Sequence, residues 1–462
     1  MITTPYSPGY TTVVGYGGDE TSQFQRLGFN VLLVFVFLSL SRIFDVKFGS
    51  LHITGISFLL LEIMVLLSRG FQVALGTKMG KALLGFTVCM AFSVPFSVWR
   101  GGSKDVFVAW ATFAFIIFLA MAGMIGNFPQ WLKMNKIIMM ALAVFAVIAN
   151  VWGVSDNGRL FLPQGKFANP NEMAQALLLG LPLWGAAMVA AISAPRKVFA
   201  AGVMVVMLAT SFRTGSRGAM IAFVMMIMVL FLRAPIIDKL KLVMAGVLFL
   251  GVVSVAMPGK LIARYKTVAD ADVEDPDADA AMLNSAESST QSRKQLLKHS
   301  LIFTLRHPLF GVGPGMFSVA DDNYIKELGG HKGTWLGTHN SYTQVSSEIG
   351  IPALLFFLSA VFLSVTGPLK VYALTRGDPR LEQMGLAALG LHYTMIIYAV
   401  TVLFEHIAYS MMLPVFGGLV ASLVRTALPE IERVKAIPLA PAMSPAMFHN
   451  YLAQRPRQRQ AV

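Results

Sequence analysis

The chain has 462 residues, 55% of them hydrophobic and only 13% charged, with a mean hydropathy of +0.64. A soluble globular chain carries about 25% charged residues, and the apolar surplus here comes in runs near the ~20 residues that a helix needs to cross hydrocarbon. A soluble enzyme is excluded, as is an outer-membrane barrel, whose strands would alternate over ~10 residues. The net charge is +13, which in such a chain marks a side of the bilayer before it marks nucleic acid.

In chain order, residues 1–26 are a polar tail rich in Gly, Tyr and Thr, without the charged start or cleavage site of a signal peptide. Apolar runs follow at about Leu27–Phe44, Leu51–Ser68, Ala82–Trp99, Val106–Gly126, Ile137–Gly153, Met173–Ser193, Val198–Phe212, Gly218–Leu232 and Leu242–Met257. Three more, at about Val345–Pro368, Met384–Phe404 and Ile407–Arg425, complete a set of twelve. The expectation is an all-α polytopic membrane protein of about 12 transmembrane helices. Residues 27–257 hold helices 1–9, residues 258–340 form one large loop domain between helices 9 and 10, residues 341–426 hold helices 10–12, and 427–462 are a basic tail. The single cysteine, Cys89, lies inside an apolar run, which leaves no intrachain disulfide and no thiolate metal site.

Counting Lys and Arg in the short loops favours both termini inside, with thirteen on one side against eight on the other. The loop domain at 258–340 is then extracytoplasmic. It opens on the acidic stretch Asp270–Asp279. Twelve residues from Asp270 lead to Ala281, where a calcium loop needs a bidentate Glu, and no Gly makes the turn, so the stretch reads as a solvated loop. Between Ser289 and Arg306, Leu296, Leu297, Leu301, Ile302 and Leu305 recur at helical spacing with Arg293, Lys294, Lys298 and Arg306 on other faces. That pattern predicts a basic amphipathic helix at the membrane surface. Gly311-Val-Gly-Pro-Gly315 follows as a tight turn.

Arginines on the outer side are disfavoured by the retention rule and need a reason. Arg213 and Arg217 lie in Ser211-Phe-Arg-Thr-Gly-Ser-Arg-Gly218, a polar break between two runs. Fork-shaped guanidinium donors beside the free N–H groups of a helix start make an anion site; the plainer reading is that they snorkel to headgroups. Arg293 faces the same anion or solvent. His339, in Gly337-Thr-His-Asn-Ser-Tyr-Thr-Gln-Val-Ser-Ser-Glu348, falls where the loop re-enters the membrane, amid Asn340, hydroxyls and Glu348. With a pKa near 6.5 an imidazole can take a proton from an attacking hydroxyl, or it simply hydrogen-bonds in the loop. Glu405-His406 is a second polar pair at that level, or a charged hairpin tip. Asn169 and Asn171 precede the sixth run and serve as helix caps or as contacts to an anionic or sugar ligand. No histidine spacing suits a metal.

Four stretches together resemble the O-antigen ligase and polymerase superfamily of WaaL/Wzy-like membrane glycosyltransferases. They are Gly165-Lys-Phe-Ala-Asn-Pro-Asn171, Thr214-Gly-Ser-Arg-Gly-Ala219, Ser292-Arg293 with His307-Pro-Leu-Phe-Gly-Val-Gly-Pro-Gly-Met-Phe317, and His339-Asn340 followed by Gly350. The ligase signature places Gly, Thr or Tyr three residues later, where this chain has Ala353, a departure that tilts the reading toward a polymerase. The resemblance implies transfer of a glycan from undecaprenyl diphosphate, on the periplasmic face of a bacterial inner membrane, to another glycan or to lipid A–core. It assigns Arg217 and Arg293, with Arg213 beside them, to the diphosphate and His339 to catalysis. Asn340, Asn169, Asn171 and Glu348 are left as glycan or acceptor contacts. It implies no metal and no cofactor; its partners are membrane lipids and other polysaccharide-assembly proteins. The alternative is a transporter or flippase of lipid-linked glycans, against which stands the scarcity of acids inside the runs. Nucleic acid is excluded as a partner, because the basic excess is spread over inner loops and a tail.

Overall fold

The computed structural model describes residues 23–47, 51–68, 70–156, 158–163, 169–240, 280–330 and 335–437, with isolated positions 243, 244, 246, 251, 265 and 333. The N-terminal tail up to residue 22, most of the run expected at Leu242–Met257, the acidic stretch and residues 438–462 lie outside them. Within the described residues the chain is helical apart from a two-stranded antiparallel ribbon, β1 (Val154–Asp156) with β2 (Arg159–Phe161). The protein is an all-α polytopic membrane protein. Among the described residues, nine helical segments are long and apolar enough to span, or ten if the bent pair Ile53–Leu67 with Gly70–Gly76 is one span.

The helices are α1 (Gln23–Ser41), α2 (Ile43–Lys47), α3 (Ile53–Leu67), α4 (Gly70–Gly76), α5 (Lys78–Ser93), α6 (Arg100–Ala109), α7 (Phe115–Met124), α8 (Phe128–Trp152), α9 (Pro170–Ala190), α10 (Ala194–Arg213) and α11 (Arg217–Arg233). After them come α12 (Ala280–Arg306), α13 (Phe317–Glu327), α14 (Ser341–Glu348), α15 (Ile351–Thr375), α16 (Glu382–Thr401) and α17 (Met412–Ala436). A single π turn, Trp110–Ala114, joins α6 and α7 into one span. The expected eighth run is α11, which at 17 residues falls just short of the others.

Local signals start these helices where the sequence places polar residues. Thr77 accepts the Gly80 N–H at 2.9 Å to cap α5, and Asn127 accepts the Gln130 N–H at 2.9 Å to cap α8. Asn169 does the same for α9 with the Asn171 N–H, and Pro170 at the first helical position needs no partner. In a bilayer lipid tails are as apolar as leucine, so side-chain packing and interhelical hydrogen bonds order the bundle. Helix α17 is the most buried of the nine spans and lies at the bundle's centre, whereas α10 is the least buried and lies at the periphery. The Trp131 indole of α8 donates to the Leu419 carbonyl of α17 at 2.8 Å. Arg425 donates to the Ala122 and Ile125 carbonyls, placing a cation at the C-terminus of α7 where the helix dipole favours it.

The tenth expected run begins later than its hydropathy suggests. Residues 341–348 form the separate short helix α14, and Gly350, at φ 102°, breaks the chain before α15. A side chain at Gly350 would collide with the Leu309 and Phe310 backbone, so this break requires glycine. The amphipathic helix is also present but longer than expected, and its leucines do not share one face. Leu296 and Phe303 are buried with Val312, Phe317 and Ala320 in a small second core, whereas Leu297, Leu301 and Leu305 are exposed.

Candidate functional site

At one end of the bundle, where α8 leads to α9, α10 to α11 and α16 to α17, the chain inserts α12, α13 and α14. Helix α14 is fastened to the 402–411 hairpin. The Ser341 N–H donates to the Val402 carbonyl at 2.8 Å, and its hydroxyl donates to the Glu405 carbonyl at 2.7 Å while accepting the Ile407 N–H at 3.0 Å. The Gln344 side-chain carbonyl accepts the Ala408 N–H at 3.1 Å. Asn340 caps α14, its side chain accepting the N–H groups of Tyr342 and Thr343 at 2.9 and 3.1 Å.

The residue just before this cap is His339. Its φ of 51° lies in the left-handed region, a conformation that costs a non-glycine residue roughly 1–2 kcal/mol and that the bonds on either side impose. The His339 ring meets His406 edge to face with centroids 5.0 Å apart. Gly337 makes room for that ring, since a side chain there would strike His406. Burial first, then His406 and Arg293, push the His339 imidazole down to about 4. It is therefore neutral at pH 7 and able to accept a proton.

Glu348 is buried in a different role. Its carboxylate accepts the N–H of Gly315 at 2.9 Å, the N–H of Phe317 at 3.3 Å and the hydroxyl of Tyr409 at 2.6 Å. Burial raises it to about 7 against these bonds. It clamps the Gly311–Gly315 turn, in which Gly311, Gly313 and Gly315 all have positive φ, onto α14 and the hairpin. A further tie, Thr304 to Ser346 at 2.8 Å, holds α12 along α14.

That clamp fixes Arg293 on α12 close enough to lower the His339 pKa. Burial and the charge of Arg217 both work against the Arg293 cation, and Glu405 supports it. Arg217 opens α11 behind the Ser216 cap, which accepts the Ala219 N–H at 3.4 Å, and its neighbour Gly218 packs against Phe404 of the hairpin. Both arginines are half-buried, and neither makes a hydrogen bond or ion pair with any described residue. Two cations are thus held near each other beside a neutral imidazole, an arrangement that leaves their donors free for an anion.

Arg213 does not join them: it is exposed and donates to Asn150 of α8 at 2.5 Å. Asn169 and Asn171 belong to the helix start, and Asn171 accepts from Arg159 at 2.8 Å. Arg159, which also donates to the Thr214 carbonyl at 2.9 Å, is a site neighbour. Glu405, of the polar pair Glu405-His406, is another, and Glu172, which the sequence did not single out, acts on it together with Arg159 and Arg293. A cavity of about 280 Å³ adjoins the site, lined by Arg42, Glu172, Gln175, His406, Tyr409 and Met412 among others.

Fold and site together define a polytopic helical membrane protein with a half-buried cationic centre at one end of its bundle. Residues 202–358, about a third of the chain, match the model of the O-antigen ligase family, and this match supports the O-antigen ligase and polymerase superfamily. The matched segment holds Arg217, Arg293 and His339 and stops short of Glu405. No curated protein matches the chain.

Proposed function

We propose that this protein transfers a glycan from undecaprenyl diphosphate to a hydroxyl acceptor on the periplasmic face of a bacterial inner membrane, in surface polysaccharide synthesis. The observation that carries the reading is the pair Arg217 and Arg293, free of described protein partners, next to the neutral His339. The family match supports the general class, an O-antigen ligase or polymerase type of membrane glycosyltransferase. In the reaction His339 accepts the proton of the acceptor hydroxyl as its oxygen attacks the anomeric carbon. The bond from that carbon to the diphosphate oxygen breaks, and the leaving lipid diphosphate keeps the electron pair. Arg217 and Arg293 stabilise the charge that develops there, in a site where burial strengthens the interaction. A single displacement of this kind inverts the anomeric centre, and its charge is balanced by the arginines without a metal ion.

A polymerase and a ligase use the same anion site and base and differ in the acceptor. The test is purified protein in liposomes with an undecaprenyl-diphosphate oligosaccharide, with and without lipid A–core. A ladder from the donor alone identifies a polymerase, and a product that requires lipid A–core identifies a ligase. An intact donor in both reactions, with glycans that homologous assembly systems accept, would overturn the reading.

A further inference from the structure

Glu405 stands at the centre of the site and has no place in the reaction as written. Its side chain is 4% exposed, and Oε2 has no hydrogen-bond partner among the described residues. An oxygen so placed costs free energy unless something outside the chain satisfies it. The charged and titratable groups acting on it come from several elements: Glu172 on α9, Arg159 on β2, Arg293 on α12 and Tyr398 on α16, with His406 next in the chain. Arg293 is the cation to which the anion is assigned above, so an anion bound there lies within electrostatic range of the Glu405 carboxyl. An ionised carboxylate would repel it; a carboxylic acid would offer it an O–H.

We propose that Glu405 works as a neutral carboxylic acid, its O–H donating a hydrogen bond to the anion that Arg217 and Arg293 hold. The inference rests on the diphosphate reading above and adds a third donor of different chemistry to it. A buried acid kept protonated at neutral pH is an effective donor to developing negative charge. Burial and Glu172 raise Glu405 to about 8, while Arg293 and Arg159 pull it down. A bound anion raises it further, so binding takes up a proton once the free protein has lost it. Affinity then falls as pH rises through about 8, by close to tenfold per pH unit for a one-proton linkage.

The probe is undecaprenyl diphosphate, titrated into the full-length protein in phosphatidylcholine nanodiscs between about pH 6.5 and 9.5. Thermal melts check that each variant is folded. Wild type is expected to bind well at the acid end and to lose affinity above pH 8, and Arg293→Ala is expected to bind weakly throughout. Glu405→Gln, which keeps a neutral donor, should bind like wild type at the acid end and stay within about twofold up to the alkaline end. Glu405→Ala should be about tenfold weaker and equally flat. If Glu405→Gln keeps the wild-type pH profile while Arg293→Ala abolishes binding, the role of Glu405 is refuted and the diphosphate site stands. If wild type and Arg293→Ala bind alike, or neither binds, the diphosphate reading falls and this inference with it.

Discussion

An imidazole held neutral near the arginines keeps a lone pair for a proton, and the anion bound there offsets the positive charge that the imidazole then gains. With His339 lowered to about 4 in the free protein, kcat/KM for donor should stay level from pH 7 down to about 5 and fall only as the base protonates below that. Anion binding offsets the arginines and lifts the imidazole, so the acid limb of kcat should sit at higher pH than that of kcat/KM. His339→Ala should lower transfer at least 100-fold, the low end of what a positioned base contributes, and leave the melting temperature near wild type. Arg217→Ala should lower it as far through lost charge stabilisation, whereas Arg213→Ala, whose guanidinium rests on Asn150, should retain transfer within about threefold. Comparable losses for Arg213→Ala and Arg217→Ala would show that the anion sits elsewhere. At this scale the motifs made Arg217, Arg293 and His339 legible. Glu405 was legible only as half of the polar pair Glu405-His406, with a charged hairpin tip as the alternative, and Glu172 not at all, because their meeting with Arg159 and Arg293 depends on how the 402–411 hairpin folds back.

Among the elements, α14 and the glycine turn form one unit, and Glu348 joins them. Its acidity and its position amid polar residues suggested a ligand contact, but the carboxylate is surrounded by protein donors. Glu348→Ala strands the N–H groups of Gly315 and Phe317 and the Tyr409 hydroxyl. It should cost about 3 kcal/mol or more, since each buried orphan forfeits roughly 1–3 kcal/mol. A clear drop in melting temperature in detergent would register this, together with lost donor binding as Arg293 on α12 is released. A Glu348→Ala protein that melts like wild type would mean that the clamp is not needed. The amphipathic helix teaches the same lesson about faces. Its period was readable, but Leu296 and Leu297 are adjacent in sequence and only the packing of α13 and α14 decides which of them is buried.

For the whole molecule, the excess of Lys and Arg on one set of loops underlies the proposed orientation, in which the site faces the periplasm. Cys89 is the chain's single cysteine, so a Cys89→Ser background gives a clean reporter. In intact spheroplasts a membrane-impermeant maleimide should label Leu328→Cys, which is exposed at the site end. Lys197→Cys, at the start of α10 on the opposite end, should react only after permeabilisation. The reverse pattern would turn the protein over and remove the periplasmic reaction.

The sequence by itself determined that this is a helical membrane protein and where most of its spans lie, and its resemblance proposed Arg217, Arg293 and His339 for the chemistry. Hydrophobic length and short motifs are local properties and survive without knowledge of the fold. Tertiary structure alone decided which arginines make no hydrogen bond or ion pair with described residues, which carboxylate is a clamp and which is an unpaired acid near Arg293. Each of these depends on what lies across from a side chain. Here the neighbours come from α9, β2, α12 and the 402–411 hairpin, segments far apart along the chain.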